Sequence, residues 1–187
     1  MRQKYICFLI CALFIIPTWA TVTTQASAPV INTETSSGVS ETGATIHGYV
    51  NDAGGAINVT TWFEWGATET YGNNTTKKTY QEYDYFDGVI SGLNPGTLYH
   101  YAAYGNNSDG THQGIDRTFF TPPYAPMTIS IENNTTDPTK IWNINWTKGQ
   151  GAERSIIVYK NESMPTSRSD GIEVYNDTGN QTTIGNE

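Results

Sequence analysis

Past residue 28, apolar and polar positions alternate in short runs, and no stretch keeps the 3.6-residue period of an amphipathic helix. The runs are rich in β-branched and aromatic residues and are separated by Gly, Asn, Pro and Asp, which predicts strands joined by turns. Seven strands are expected over the first part of the chain, at 30–34, 44–51, 59–65, 77–81, 84–90, 97–105 and 115–121. So many short strands at such spacing predict an all-β sandwich. Alternation assigns the faces, because successive side chains on a strand point opposite ways. Ala44, Ile46, Gly48 and Val50 are expected inward, with His47 and Tyr49 outward. Phe63 and Trp65 oppose Trp62 and Glu64, and Tyr99, Tyr101 and Ala103 oppose His100, Ala102 and Tyr104.

The N-terminus breaks this pattern. Arg2 and Lys4 precede an almost unbroken apolar run from Tyr5 to Ile16, then Pro17 and the small-residue stretches Thr18-Trp19-Ala20 and Thr24-Gln25-Ala26. This is the layout of a secretory signal peptide over residues 1–26, cleaved after Ala20 or Ala26. The alternative is an uncleaved anchor, since residues 5–22 just reach the length that spans a bilayer core of roughly 30 Å. Either reading puts the remainder outside the cytoplasm, as a secreted or cell-surface protein exported through the general secretory route. The membrane is touched only through this segment, and only if it stays uncleaved.

Both cysteines, Cys7 and Cys11, fall inside that leader, so the exported part is expected to have no disulfide, thiolate metal site or cysteine nucleophile. Removing Arg2 and Lys4 leaves eight Lys+Arg against 18 Asp+Glu, a net charge of −10. With no basic cluster beyond Lys77-Lys78, a nucleic-acid partner is not expected. Ten Asn-x-Ser/Thr sequons occur, at Asn58, Asn73, Asn74, Asn106, Asn133, Asn134, Asn145, Asn161, Asn176 and Asn180. They mark a glycoprotein if the host glycosylates asparagine, although Asn145 lies inside an expected strand.

Particular motifs carry a resemblance. Ala44-Thr-Ile-His-Gly-Tyr-Val-Asn51, Trp62-Phe-Glu-Trp-Gly66, Ser91-Gly-Leu-Asn-Pro-Gly-Thr-Leu-Tyr-His-Tyr101, Asn106-Asn-Ser-Asp-Gly110 and Thr118-Phe-Phe-Thr-Pro122 resemble fibronectin type III-like repeats of prokaryotic cell-surface proteins. The most specific part is Leu93-x-Pro95-Gly96-Thr97-x-Tyr99. The resemblance implies that it forms a tyrosine corner, with the Tyr99 hydroxyl bonded to backbone near the Pro-Gly turn. It covers residues 29–122 and implies an immunoglobulin-like sandwich. One departure stands out: Gly48 and Val50 hold the inward positions of the second strand, where many family members carry Trp.

Pro122-Pro123-Tyr124-Ala125-Pro126 then reads as a stiff linker, 123–126. Beyond it strands are expected at 127–132, 140–146, 155–160 and 173–175. The stretch Asn145 to Lys160 is similar to part of another such repeat. Residues 127–187 therefore read as a partial second module without a second Leu-x-Pro-Gly-Thr-x-Tyr. Either the gene is truncated or another chain supplies the missing strands.

No catalytic constellation emerges, and a non-enzyme without cofactor or metal is expected. His47, His100 and His112 stand at unrelated spacings, and neither a G-x-S-x-G elbow nor a phosphate-binding Gly loop occurs. Two acidic stretches are candidates for calcium: Asn106-Asn107-Ser108-Asp109-Gly110 with Asp116, and Asp84 with Asp87. Neither has the spacing of a calcium loop, and turn chemistry accounts for the first. Trp62, His100, Tyr104 and Phe120 are expected to point outward from neighbouring strands as one patch. Such a patch stacks on sugars, docks a protein partner, or packs against the linker, the second module or a sister chain. Tyr80, Tyr83, Tyr85 and Phe86 are read as loop packing. The expected function is a surface protein whose modules act as spacers or as adhesion units for protein or glycan partners. The alternatives are a carbohydrate-binding accessory module or the N-terminal part of a secreted polysaccharide-active enzyme.

Overall fold

The computed structural model describes residues 26–133, 140–160 and 163–185. The expected leader up to residue 25, with both cysteines, and the sequons at Asn134 and Asn161 lie outside the described residues. Among the described residues every regular element is a β-strand, and no helix is long and apolar enough to cross a membrane.

Strands β1 (Val30–Ser37), β2 (Gly43–Asp52) and β6 (Tyr85–Ser91) form one antiparallel sheet in the order β1–β2–β6. The facing sheet is centred on β3 (Val59–Gly66) and β7 (Leu98–Asn107), paired antiparallel from Thr60↔Asn106 to Gly66↔His100. Short strands β4 (Asn73–Asn74) and β5 (Lys78–Tyr80) pair with β3, while β8 (Gly110–Gln113) and β9 (Arg117–Phe120) pair with β7. The core lies between the sheets, where alternate residues meet: Ile31, Ala44, Ile46 and Val50 from one side, Phe63, Tyr99, Tyr101 and Ala103 from the other. Two cross-layer bonds satisfy buried polar groups. The Ala103 N–H donates to Thr33 Oγ1 (3.0 Å), and the Tyr101 hydroxyl donates to the Glu34 carbonyl (2.8 Å).

Phe86 belongs to this core at 3% exposure, and Tyr80 packs against it, so these two are not loop packing; Tyr83 and Tyr85 are exposed. Phe86 also accounts for the glycine at position 48. Gly48 pairs with Phe86 across β2 and β6, and a Cβ on Gly48 would fall 2.4 Å from the ring. The phenyl ring fills the space that a larger residue on β2 would need.

The expected last strand, 115–121, is present as the shorter β9, and a further strand that was not expected, β8, precedes it at 110–113. Between the pairs Tyr104↔Gln113 and Tyr101↔Arg117, β7 advances three residues while its partner advances four. The extra residue makes a bulge at 114–116. Gly114 lets it pass close to β1, where a Cβ would sit 2.5 Å from Thr33 Oγ1.

Beyond the prolines, β10 (Met127–Asn133), β11 (Lys140–Thr147) and β14 (Gln181–Gly185) form a sheet in the order β10–β11–β14, and β12 (Ser155–Tyr159) pairs with β13 (Ile172–Asp177). Strand β14 was not expected, because Gln181-Thr-Thr-Ile-Gly lacks a sustained apolar alternation. Trp146 joins the two sheets: its Nε1 donates to Ser155 Oγ (2.7 Å), and its ring meets Tyr175 edge-on at 4.8 Å. On the same sheet face Ile129, Ile131 and Trp142 remain exposed.

The two stretches touch backbone to backbone. A Cβ on Gly96 would lie 2.1 Å from the Gly151 carbonyl oxygen, and one on Gly151 would lie 2.3 Å from that of Pro95. Nearby, the Tyr124 N–H donates to the Gln150 carbonyl at 3.1 Å.

Candidate functional site

The outward face of the β3–β7 sheet gathers most of the residues singled out from the sequence, but not as one open patch. Trp62 and Tyr104 are directly opposite in register and stack at 5.4 Å with 13° between their planes. The Lys77 ammonium lies 4.1 Å from the Trp62 ring centroid, and Trp62 Nε1 donates to Glu64 Oε1 at 3.2 Å. Trp62 is only 9% exposed. Its expected role as an outward platform is corrected accordingly: both partners needed to bury it come from its own sheet and the adjoining loop. Phe120 pairs with Leu98, and both are exposed. Six residues of β7 separate Leu98 from Tyr104, about 20 Å along a strand, so Phe120 is not part of the Trp62 cluster.

A polar constellation lies between these ends. His100 Nδ1 contacts Asp116 Oδ2 at 2.8 Å. The Tyr71 hydroxyl donates to Asp116 Oδ1 (2.9 Å) and accepts from Gln113 Nε2 (3.3 Å). Tyr71 follows β3, whereas Asp116 and Gln113 lie across β7, so the tyrosine ring spans β7. Ala102, on this outward face between His100 and Tyr104, is fully buried. Burial, then the hydrogen bond and charge of Asp116, push the Tyr71 hydroxyl well above the ordinary tyrosine value. The Tyr104 hydroxyl is also raised, by burial and by the charge of Glu64.

Local backbone holds the group together. The bulge at 114–116 sets Asp116 beside His100. Gly66 gives room for the returning loop, since a Cβ there would lie 1.8 Å from the Tyr71 carbonyl oxygen, and Tyr71 itself has φ 56°. Glu69, in the same loop, completes a cluster in which Glu69, His100 and Asp116 each offer one ligand atom within 4.8 Å of the others. Glu69 and Tyr71 were missed from the sequence, because nothing in a polar loop between strands announces that it folds back over the sheet.

The other singled-out residues lie apart from this cluster. The Asn94 N–H donates to the Tyr99 hydroxyl at 2.9 Å, Leu93 and Pro95 are buried, and Gly96 has φ 63°. Asn107 Oδ1 accepts from the N–H groups of Asp109 and Gly110, and Asn106 donates to the Gly110 carbonyl, which makes this stretch a self-satisfied turn. Asp84 Oδ2 accepts from the Gln81 N–H, and Asp87 lies opposite His47. His112 Nδ1 accepts from the Ile31 N–H (3.1 Å), and His47 Nε2 contacts Ser37 Oγ (2.7 Å). Among the sequons, Asn58, Asn73, Asn74 and Asn180 are exposed, Asn106 and Asn176 are half-buried, and Asn133 ends β10.

Among the described residues the protein is thus all-β, with antiparallel sheets packed as a sandwich and an aromatic and polar cluster on the outer face of β3 and β7. No family model and no curated protein sequence matches it. Among solved structures it is similar to the sensor domain of the anti-sigma factor RsgI4 in Pseudobacteroides cellulosolvens. A short form shares 18% identity at a TM-score of 0.42, over 51% of this chain and 96% of that one. A long form shares 18% at 0.41, over 56% and 99%, and a solution structure shares 18% at 0.40, over 50% and 75%.

Proposed function

We propose that this is an exported, non-enzymatic surface protein whose fibronectin type III-like modules serve as spacer and protein-binding units. The observation that carries the spacer reading is the contact between the Pro95-Gly96 turn and the Gly149–Gly151 loop. Gly96 and Gly151 each stand where a side chain would strike the opposite backbone, Gly149 stands likewise against the Tyr124 carbonyl, and such a junction limits the orientations open to the two stretches. The strand order β1–β2–β6 facing β3–β7 supports the family resemblance, and the leader supports export. Trp62, stacked on Tyr104, with the Lys77 ammonium over its ring and only 9% exposed, offers little surface to a sugar, which favours this reading over a glycan platform.

The test is a distance measurement between spin labels on exposed positions such as Thr111 and Ser167, in the parent chain and in Gly96→Val. The parent is expected to give a narrow distribution and the variant a broad one. Equal breadth in both overturns the rigid-spacer reading. Saturable polysaccharide binding lost on Trp62→Ala replaces it with the glycan reading.

A further inference from the structure

We propose that Glu69, His100 and Asp116 form a binding site for a divalent transition-metal ion of the Zn²⁺ class, which fastens the loop after β3 to the far side of β7. The donor set is one imidazole nitrogen and two carboxylates, drawn from three separate segments: the β3–β4 loop, β7 and the bulge between β8 and β9. Imidazole with carboxylate suits Zn²⁺ and its neighbours, and three protein ligands leave a fourth tetrahedral position for water. Calcium takes six to eight oxygens and has no use for the nitrogen.

The spacing fits a small ion. With Zn–N and Zn–O bonds near 2.0–2.1 Å, the edge of a tetrahedral site is about 3.3 Å. His100 Nδ1 and Asp116 Oδ2 stand 2.8 Å apart, and all three ligand atoms lie within 4.8 Å of one another. Roughly half an ångström of spreading on one edge and closure of the exposed Glu69 side chain complete the geometry. Two of the three ligands are already aimed. Strand pairing fixes His100 opposite Gly66 and Thr118. Tyr71 donates its hydroxyl proton to Asp116 Oδ1, leaving Oδ2 for the shared centre, which is the work of an outer-shell partner at a metal site. Electrostatics point the same way: two carboxylates beside one imidazole, on an exported chain of net charge −10, favour a cation. The sequence predicts no metal, because its histidines stand at unrelated spacings; the three ligands lie 31 and 16 positions apart and leave no local motif.

The experiment is a calorimetric titration of the chelator-stripped, full exported chain with Zn²⁺ alone and, separately, with Ca²⁺ alone. One saturable Zn²⁺ site per chain is expected, with no saturable Ca²⁺ binding. Glu69→Gln and His100→Ala are each expected to weaken Zn²⁺ binding at least about 10-fold, and Tyr71→Phe to weaken it by roughly 10-fold through loss of Asp116 orientation. Glu69 is exposed and its replacement isosteric, so Glu69→Gln keeps the test valid if His100→Ala fails to fold. Three results would each overturn the proposal: no saturable Zn²⁺ binding, Ca²⁺ bound as well as Zn²⁺, or affinity unchanged in Glu69→Gln. Loss of the site in His47→Ala instead would move it to another face and overturn it equally.

Discussion

Replacing Gly48 by Ala adds a single methyl group, and the structure assigns it a definite cost. The new Cβ would lie 2.4, 2.8 and 2.9 Å from three carbons of the Phe86 ring. Ordinary carbon contacts are near 3.5–4.0 Å, so the ring must retreat by about 1 Å or more. It has little room, because it packs against Phe63 at 5.0 Å and Tyr80 at 5.5 Å between centroids. Overpacking of this kind costs roughly 1–3 kcal/mol. The opposing gain, a less flexible unfolded chain, is about 0.4–1 kcal/mol. A net loss of about 1–2 kcal/mol is therefore expected, read as a lower urea midpoint with an unchanged slope. In a domain of this size that corresponds to a fall of roughly 4–16 °C in Tm. Phe86→Ala alone should cost about 3–5 kcal/mol. Gly48→Ala placed in a Phe86→Leu background should cost much less than in the parent, since the clashing ring is gone. If Gly48→Ala is neutral, or its cost is the same in both backgrounds, the account of Phe86 as the filler of this space is refuted.

Other outcomes follow from the same structure. Tyr99→Phe strips the acceptor from the Asn94 N–H and should cost about 1–3 kcal/mol by urea unfolding; no change would mean that water replaces the hydroxyl. Lys77→Ala removes the cation over Trp62 and should cost about 0.5–1 kcal/mol while red-shifting Trp fluorescence. Alkaline pH should destabilise the fold. The Tyr71 and Tyr104 hydroxyls have raised pKa values in the folded chain, so above the ordinary tyrosine value, about 10, the unfolded state sheds protons that the folded state keeps. That contribution is fully present below pH 10 and is lost as pH rises through the folded values. Tyr71→Phe should flatten the slope in a pH series of urea midpoints.

The parts of the fold set by period-2 alternation were legible. The inward row Ala44, Ile46, Gly48 and Val50 is buried, as are Phe63, Tyr99, Tyr101 and Ala103. Each side chain there obeys a rule that depends only on its own strand. Less legible were features decided by a neighbour distant in sequence. Trp62 was expected on an open face, yet it is buried by Tyr104 and Lys77. Phe120 shares that face but lies at its far end, because register, which alternation does not reveal, pairs it with Leu98. Strand β14 gives little apolar signal because Thr182 holds the position paired with buried Ile144, which leaves Ile184 as its single apolar residue. The Glu69–His100–Asp116 cluster depends on a loop that doubles back at Tyr71 and on one extra residue in a bulge. Neither leaves a local pattern, although Gly66 and Gly114 mark where backbone passes close.

The bulge at 114–116 also bears on how this sheet meets other molecules. A regular last strand would run flat along β7 and present an unbroken row of backbone donors and acceptors at the sheet's rim. Here the rim is interrupted midway, and the Arg117 guanidinium turns back to the Thr33 carbonyl at 2.7 Å. A foreign strand laid against β8 would lose register within a few residues, at the point where β9 begins. The extra residue that helps build the polar cluster on the face therefore also guards the border against runaway strand addition.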